Sequence, residues 1–285
     1  MRRLYLALAT ALIAASPAAR KHPDWVRPIP PFHVIDNVYY VGSADIASWL
    51  ITTPKGLILL DAGMPEYAPR VEANIRTLGF NPSDVKIMLI SHAHYDHSGG
   101  LARIKADTGA RLIASAGDRY ALEHGKNLGS ADDHSYDAPP VKVDQLVADG
   151  STVSLGGVTL TAILTPGHTA GCTSYLLPVR EGSKRHTAFF FCSASVAGNR
   201  LAPNPQYRGI VADYRRTFRR LKAIKADVFL APHAEFYNLD QKRARIAKGN
   251  PNPFIVPGEV QAVTRDLDQA FERELAAQAA QARHR

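Results

Sequence analysis

Val85-Lys86-Ile87-Met88-Leu89-Ile90-Ser91-His92-Ala93-His94-Tyr95-Asp96-His97 reads as a strand that runs directly into four candidate metal donors. The first six residues are apolar except Lys86 and suit a buried strand. The next seven carry His92, His94, Asp96 and His97 in a His-x-His-x-Asp-His pattern. Neutral imidazoles and a carboxylate are the donors zinc takes at open, catalytic sites. In an extended loop, residues i and i+2 project to one side, so His92 and His94 converge on one ion. Asp96 and His97 come where the chain turns toward the helix after Gly99-Gly100, placed to face a second ion.

Two more donors would give each of two ions three protein ligands and leave positions for water and substrate. His168 follows a strand over 159–165, in Thr165-Pro166-Gly167-His168-Thr169, and His233 follows a strand over 228–231. Loops at strand ends are the usual place for catalytic groups. Gly167 lets the backbone turn tightly beside the ion. His22, His33, His124, His134, His186 and His284 stand alone and read as ordinary histidines. Asp61, in Leu60-Asp61-Ala62-Gly63, has two readings: it orients a ligand imidazole, or it caps the turn at Gly63.

The remaining pattern interleaves strands and helices in two sequential halves. Strands are expected over 34–41, 46–52, 56–61, 85–90 and 110–114, then 152–154, 159–165, 173–179, 187–192 and 228–231. Helices are expected over 67–78, 101–107, 116–123, 214–225 and 259–280. Residues 126–140 are rich in Gly, Asp and Pro and read as a long loop bordering the site. This order points to an α/β or α+β layered sandwich with helices outside two sheets. The 285 residues, 46% of them hydrophobic, suffice for a single large domain with its own core.

Met1-Arg2-Arg3, an apolar run over 4–15 and Ser16-Pro17-Ala18 read as a secretory signal, cleaved after Ala18. Residues 19–285 then form the catalytic domain, in the periplasm. Such a compartment permits a disulfide between Cys172 and Cys192, worth roughly 3 kcal/mol for a loop of this size. Two buried free thiols is the other reading. Arg215, Arg216, Arg219, Arg220, Lys222 and Lys225 hold much of the net charge of +8, and read as a solvated helix face with no nucleic acid partner. Ser83-Asp84-Val85-Lys86 matches Ser-x-x-Lys, but Ser-Asp-Asn and Lys-Thr-Gly are both absent, so the match reads as coincidence.

Together the His-x-His-x-Asp-His run, the Gly-His-Thr segment at 167–169 and the late His233 resemble the metallo-β-lactamase superfamily. The resemblance extends from Asn37-Val38-Tyr39-Tyr40 through Leu59-Leu60-Asp61-Ala62-Gly63 to His233. It implies a four-layer αββα sandwich with two zinc ions per chain at one edge of the sheets. It assigns His92, His94 and His168 to the first ion, and Asp96, His97 and His233 to the second, with Asp96 also catalytic. Most hydrolase branches carry a metal-bridging Asp on the strand after Gly-His-Thr. Here that strand reads Phe189-Phe190-Phe191-Cys192-Ser193-Ala194-Ser195, without one. With His97 present and Ser193 where another group has Cys, the chain resembles the subclass B3 metallo-β-lactamases, although Cys192 stands one position from that Cys. Ser193 and Ser195 are then expected to bind the substrate carboxylate. The implied activity is hydrolysis of penicillins, cephalosporins and carbapenems by a hydroxide the metal generates, in a monomer that does not insert into membranes. Another dizinc hydrolase of the superfamily, for a lactone, thioester or phosphodiester, is the alternative.

Overall fold

The computed structural model describes residues 16–129 and 134–283. The apolar run over 4–15 and His284 lie outside the described residues. After a short helix α1 (Pro17–Lys21), the first half forms β1 (Phe32–Ile35), β2 (Val38–Tyr40), β3 (Trp49–Thr53) and β4 (Gly56–Leu60). It continues through α2 (Ala68–Thr77), β5 (Val85–Leu89), α3 (Tyr95–Ser98), α4 (Leu101–Thr108), β6 (Arg111–Ser115), α5 (Ala116–His124) and β7 (Gln145–Val147). The second half contains β8 (Thr152–Leu155), β9 (Val158–Leu164), β10 (Thr173–Glu181), β11 (Lys184–Phe190), α6 (Ile210–Ala223), β12 (Val228–Leu230), α7 (Leu239–Ala247) and α8 (Glu259–Arg283).

Seven strands form one sheet in the order β1-β2-β3-β4-β5-β6-β7, and five form the other in the order β12-β11-β10-β9-β8. The continuous apolar runs are explained by burial on both faces. In β4, Ile58 and Leu60 join Trp49, Leu89, Tyr175 and Phe189 in the core shared by the sheets. Their neighbours Leu57 and Leu59 point the other way, into a second core with Val71 and Ile75 of α2 and Leu101 of α4. Beyond the five-stranded sheet, α6 and α8 interlock through Phe271, whose ring centroid lies 4.9 Å from Tyr214 and 5.6 Å from Phe218. The result is the expected four layers, helix-sheet-sheet-helix.

Three expectations need correction or extension. The single strand over 34–41 is two strands, β1 and β2, because Asp36 adopts a left-handed φ of 51° and turns the chain at Asp36-Asn37. Strand β7 and helix α7 were not anticipated: β7 has three residues, two of them exposed, and α7 buries only Leu239 and Lys242. The two cysteines are joined as a disulfide, with Cα atoms 5.8 Å apart. The basic helix α6 is a solvated face laced with ion pairs, Lys222 with Asp268 at 2.7 Å, Arg220 with Asp149 at 2.7 Å and Arg215 with Glu272 at 3.3 Å. Among the described residues, no helix is long and apolar enough to cross a membrane.

The strand directions decide where the chemistry can sit. Strand β4 is parallel to β5, β5 to β6, and β11 to β12. The carboxyl ends of β4, β5, β9, β11 and β12 therefore gather at one edge of the two sheets. Thr173 N–H donates to the Ser91 carbonyl at 2.8 Å, and Ala47 N–H to the Pro232 carbonyl at 2.8 Å, which stitches the sheets together there. Loops beyond the carboxyl ends of such strands are where open α/β sheets bind ligands.

Candidate metal centre

Six donors from three loops meet at that edge. His92, His94 and His168 form one group and Asp96, His97 and His233 another, each with its ligand atoms within 4.8 Å of one another. His92 and His94 leave β5 on extended backbone. Asp96 and His97 lie in the single turn α3, which follows the extended His94 and is fastened by the Ser98 hydroxyl donating to the His94 carbonyl at 2.9 Å. The short α3 confirms the change of direction expected before Gly99.

His168 arrives on the loop between β9 and β10. Gly167 has φ 138°, and a Cβ there would lie 2.8 Å from the Tyr214 ring, so a side chain is excluded on both counts. Helix α6 supports the loop from beneath: Thr217 donates to the Pro166 carbonyl at 2.6 Å, and Tyr214 to the Ser195 carbonyl at 2.7 Å. The disulfide ties Cys172, at the end of this loop, to Cys192, beside Ser193. His233 follows β12 and forms an isolated bridge with Ile46, which brings it against Asp45. The Trp25 ring lies 6.1 Å from His233 and itself stacks on His22 at 4.1 Å.

The hydrogen bonds behind the rings determine which nitrogens face inward. His168 Nδ1 is 2.7 Å from the Ser195 carbonyl and must donate to it, leaving a lone pair on Nε2. Ser91 donates its hydroxyl to Asp61 Oδ2 at 2.7 Å, so its oxygen accepts from His92 Nδ1 at 2.9 Å, and His92 Nε2 also carries a lone pair. These two lone-pair nitrogens lie 3.1 Å apart. Protonation does not relieve the conflict, because burial and the neighbouring imidazoles hold both His92 and His168 well below the usual histidine range. A cation between them does, and the donor set of three imidazoles suits zinc.

The second group is electrostatically different. Burial works to lower the His97 pKa, but Asp96 and Asp61 override it and hold the ring at about 10. His233 is likewise lowered by burial and raised by Asp45 and Asp96, to about 9. Asp96 Oδ2 lies 3.2 Å from both His97 Nε2 and His233 Nε2. Asp61 stands behind both groups: it accepts from the Ser91 hydroxyl that meets His92, and its Oδ2 lies 3.6 Å from His97 Nδ1, too far for a hydrogen bond. It does so from a left-handed φ of 63°, a strained conformation for a non-glycine residue, held by bonds to Ser91 N–H at 2.7 Å and Leu89.

Ser195 is half-buried, with its hydroxyl 3.5 Å from His168 Nδ1, whereas Ser193 is buried and reaches Ser195 Oγ at 3.3 Å. Two carboxylates escaped the sequence reading. Asp45, whose Oδ2 is 3.3 Å from His233 Nδ1, sits alone in a short loop with no local pattern. Asp118 lies in the first turn of α5, where an acidic residue is common and carries no functional signal.

A family model described as the metallo-beta-lactamase superfamily matches residues 42–181. Among solved structures, BJP-1, a subclass B3 metallo-beta-lactamase of Bradyrhizobium japonicum, is 47% identical with a TM-score of 0.88, over 92% of this chain and 98% of that one. Native FEZ-1 metallo-beta-lactamase from Legionella gormanii is 38% identical with a TM-score of 0.86, over 89% of this chain and 98% of that one. Among curated relatives, a hydroxyacylglutathione hydrolase of Rhodospirillum rubrum is 33% identical over 111 residues, 39% of this chain, and the match spans 35% of that relative's length. Another, from Acidiphilium cryptum, is 33% identical over 202 residues, 71% of this chain and 69% of the relative. The fold, the donor groups at its sheet edge and likenesses that run nearly the length of solved enzymes lead to one conclusion: the chain belongs to the metallo-β-lactamase superfamily.

Proposed function

We propose that this protein is a zinc-dependent β-lactamase that opens the β-lactam amide of penicillins, cephalosporins and carbapenems. One observation carries the reading, the span of the likeness. BJP-1 aligns over 92% of this chain at 47% identity, whereas the Rhodospirillum rubrum and Acidiphilium cryptum hydrolases align over 39% and 71% of it, each at 33%.

In this reading His92, His94 and His168 hold one zinc ion, and Asp96, His97 and His233 hold a second. Zinc in these positions supplies Lewis acidity for a carbonyl oxygen and lowers the pKa of a bound water to about 7. The Asp96 carboxylate orients the attacking water, takes its proton and returns it to the amide nitrogen as the C–N bond breaks. Asp45 and Asp61 fix the rings of His233 and His97 from behind. Ser195 offers its hydroxyl to the substrate carboxylate, and Ser193 steadies that hydroxyl from below. Residues 1–18 direct export and are removed, and the enzyme works as a periplasmic monomer. N-terminal sequencing of the exported protein reads the cut.

The test is hydrolysis of a chromogenic cephalosporin that stops with a chelator and returns with zinc. Zinc-loaded protein that leaves penicillins, cephalosporins and carbapenems all intact would overturn the reading. A second reading, thioester hydrolysis, is favoured by the 202-residue match to the Acidiphilium cryptum hydrolase. Turnover of a hydroxyacylglutathione thioester without β-lactam turnover would select it.

A further inference from the structure

Asp118 is 3% exposed, and no cationic side chain pairs with it among its hydrogen bonds. Its Oδ2 accepts from Ala93 N–H at 3.0 Å and from the Thr169 hydroxyl at 2.9 Å, and its Oδ1 accepts from Gly171 N–H at 2.9 Å. These three donors belong to the two segments that carry the first triad. Ala93 separates His92 from His94, and Thr169 follows His168 directly.

The packing leaves no slack between those segments. A Cβ on Gly171 would lie 2.3 Å from Asp118 N, and one on Gly117 would lie 2.4 Å from the Ala170 carbonyl oxygen. Ser115, just before α5, donates its hydroxyl to the Gly171 carbonyl at 2.6 Å. The start of α5 is thus a buttress wedged between the His92–His94 loop and the His168 loop.

We propose that Asp118 is a positioning residue for the first metal triad, one carboxylate that clamps the two backbone segments bearing His92, His94 and His168 at the separation the ion requires. The inference rests on the metal reading given above. A carboxylate is specifically required. Three donors converge on its two oxygens, whereas an amide offers one oxygen and would turn its own N–H₂ toward a donor. Burial pushes the Asp118 carboxyl up to about 6, against the three hydrogen bonds that hold it down. Asp118 makes no hydrogen bond to any of the three rings. It holds two backbone N–H groups and the Thr169 hydroxyl, so its effect is on the spacing of the ligands and leaves their basicity alone.

The test is a cobalt(II) titration of the full chain, reading the two sites separately by their visible spectra, with zinc affinities from chelator competition. Asp118→Asn is expected to weaken the first site by about 10–100-fold while the second changes less than about twofold. Thr169→Val, which removes one donor and keeps the carboxylate, covers the case in which Asp118→Asn does not fold, and is expected to shift the same site in the same direction by a smaller factor. Equal weakening of both sites, or no change at either, overturns the clamp while leaving the metal reading intact. Wild-type protein that binds no metal overturns both.

Discussion

The two triads share their donor chemistry and differ in what stands behind it. Behind the first, the rings rest on neutral groups: His168 on the Ser195 carbonyl at 2.7 Å and His92 on the Ser91 hydroxyl at 2.9 Å. Behind the second, they rest on carboxylates: His233 on Asp45 at 3.3 Å and His97 facing Asp61 at 3.6 Å. Asp118, beside the first triad, instead holds the segments that carry it, through two backbone N–H groups and the Thr169 hydroxyl. One residue type therefore does two jobs, charging the ligands of one site and spacing those of the other. The difference teaches that an ion held by the first triad would keep more of its Lewis acidity, since imidazoles that donate directly to a carbonyl or a hydroxyl would pass less charge to it than imidazoles facing a carboxylate. The second site is the more anionic of the two and suits holding the ion and handling protons through Asp96.

The largest expected effect falls on the group the second triad contributes to chemistry. Asp96→Ala is expected to lower kcat for a cephalosporin by about 10²–10⁴-fold, as befits a proton-transfer group, and to reduce zinc content to one per chain. Full activity with a single zinc would break the distinction between the sites. Replacing Cys172 and Cys192 together by Ser is expected to lower stability by roughly 3 kcal/mol in denaturant titrations. The disulfide ties the His168 loop to the segment entering Ser193 and makes no contact with His233, so any loss of metal affinity is expected mainly at the first site. Asp45→Asn sharpens the comparison from the other side, with about 10–100-fold weaker binding at the second site and the first unaffected, read by the same two-site titration. The smallest effect belongs to Ser193→Ala, where KM is expected to rise by about threefold with little change in kcat, since the buried hydroxyl acts through Ser195. An unchanged KM would remove Ser193 from substrate recognition.

The legibility of these two sites from sequence differed for a physical reason. The four donors between His92 and His97 stand in a run that no structural role explains, and a loop's two-residue alternation says which pairs converge. His168 and His233 were readable from their places at strand ends. Asp45 and Asp118 carried no such signal, because each acts through bonds to residues that only the fold brings near it, Asp45 to His233 and Ala234 and Asp118 to Ala93, Thr169 and Gly171. Asp61 was half-legible: its place at the end of β4 suggested an orienting role, and only the bond to Ser91 separated that from a turn cap. The turn at Asp36-Asn37 had a signal in its polar pair, which a long apolar run on either side obscured. Strand β7 is short and mostly exposed, so periodicity could not find it.

By itself the sequence determined the layered α/β architecture, since strands apolar on both faces have to be covered twice, and it brought forward six candidate donors, since few residue types bind zinc. Only the tertiary structure decided which ring nitrogens carry lone pairs, which carboxylates stand behind which triad and that the cysteines meet. Those depend on residues far apart in the chain arriving within about 3 Å of one another, the range of a hydrogen bond, and no local pattern encodes such an encounter.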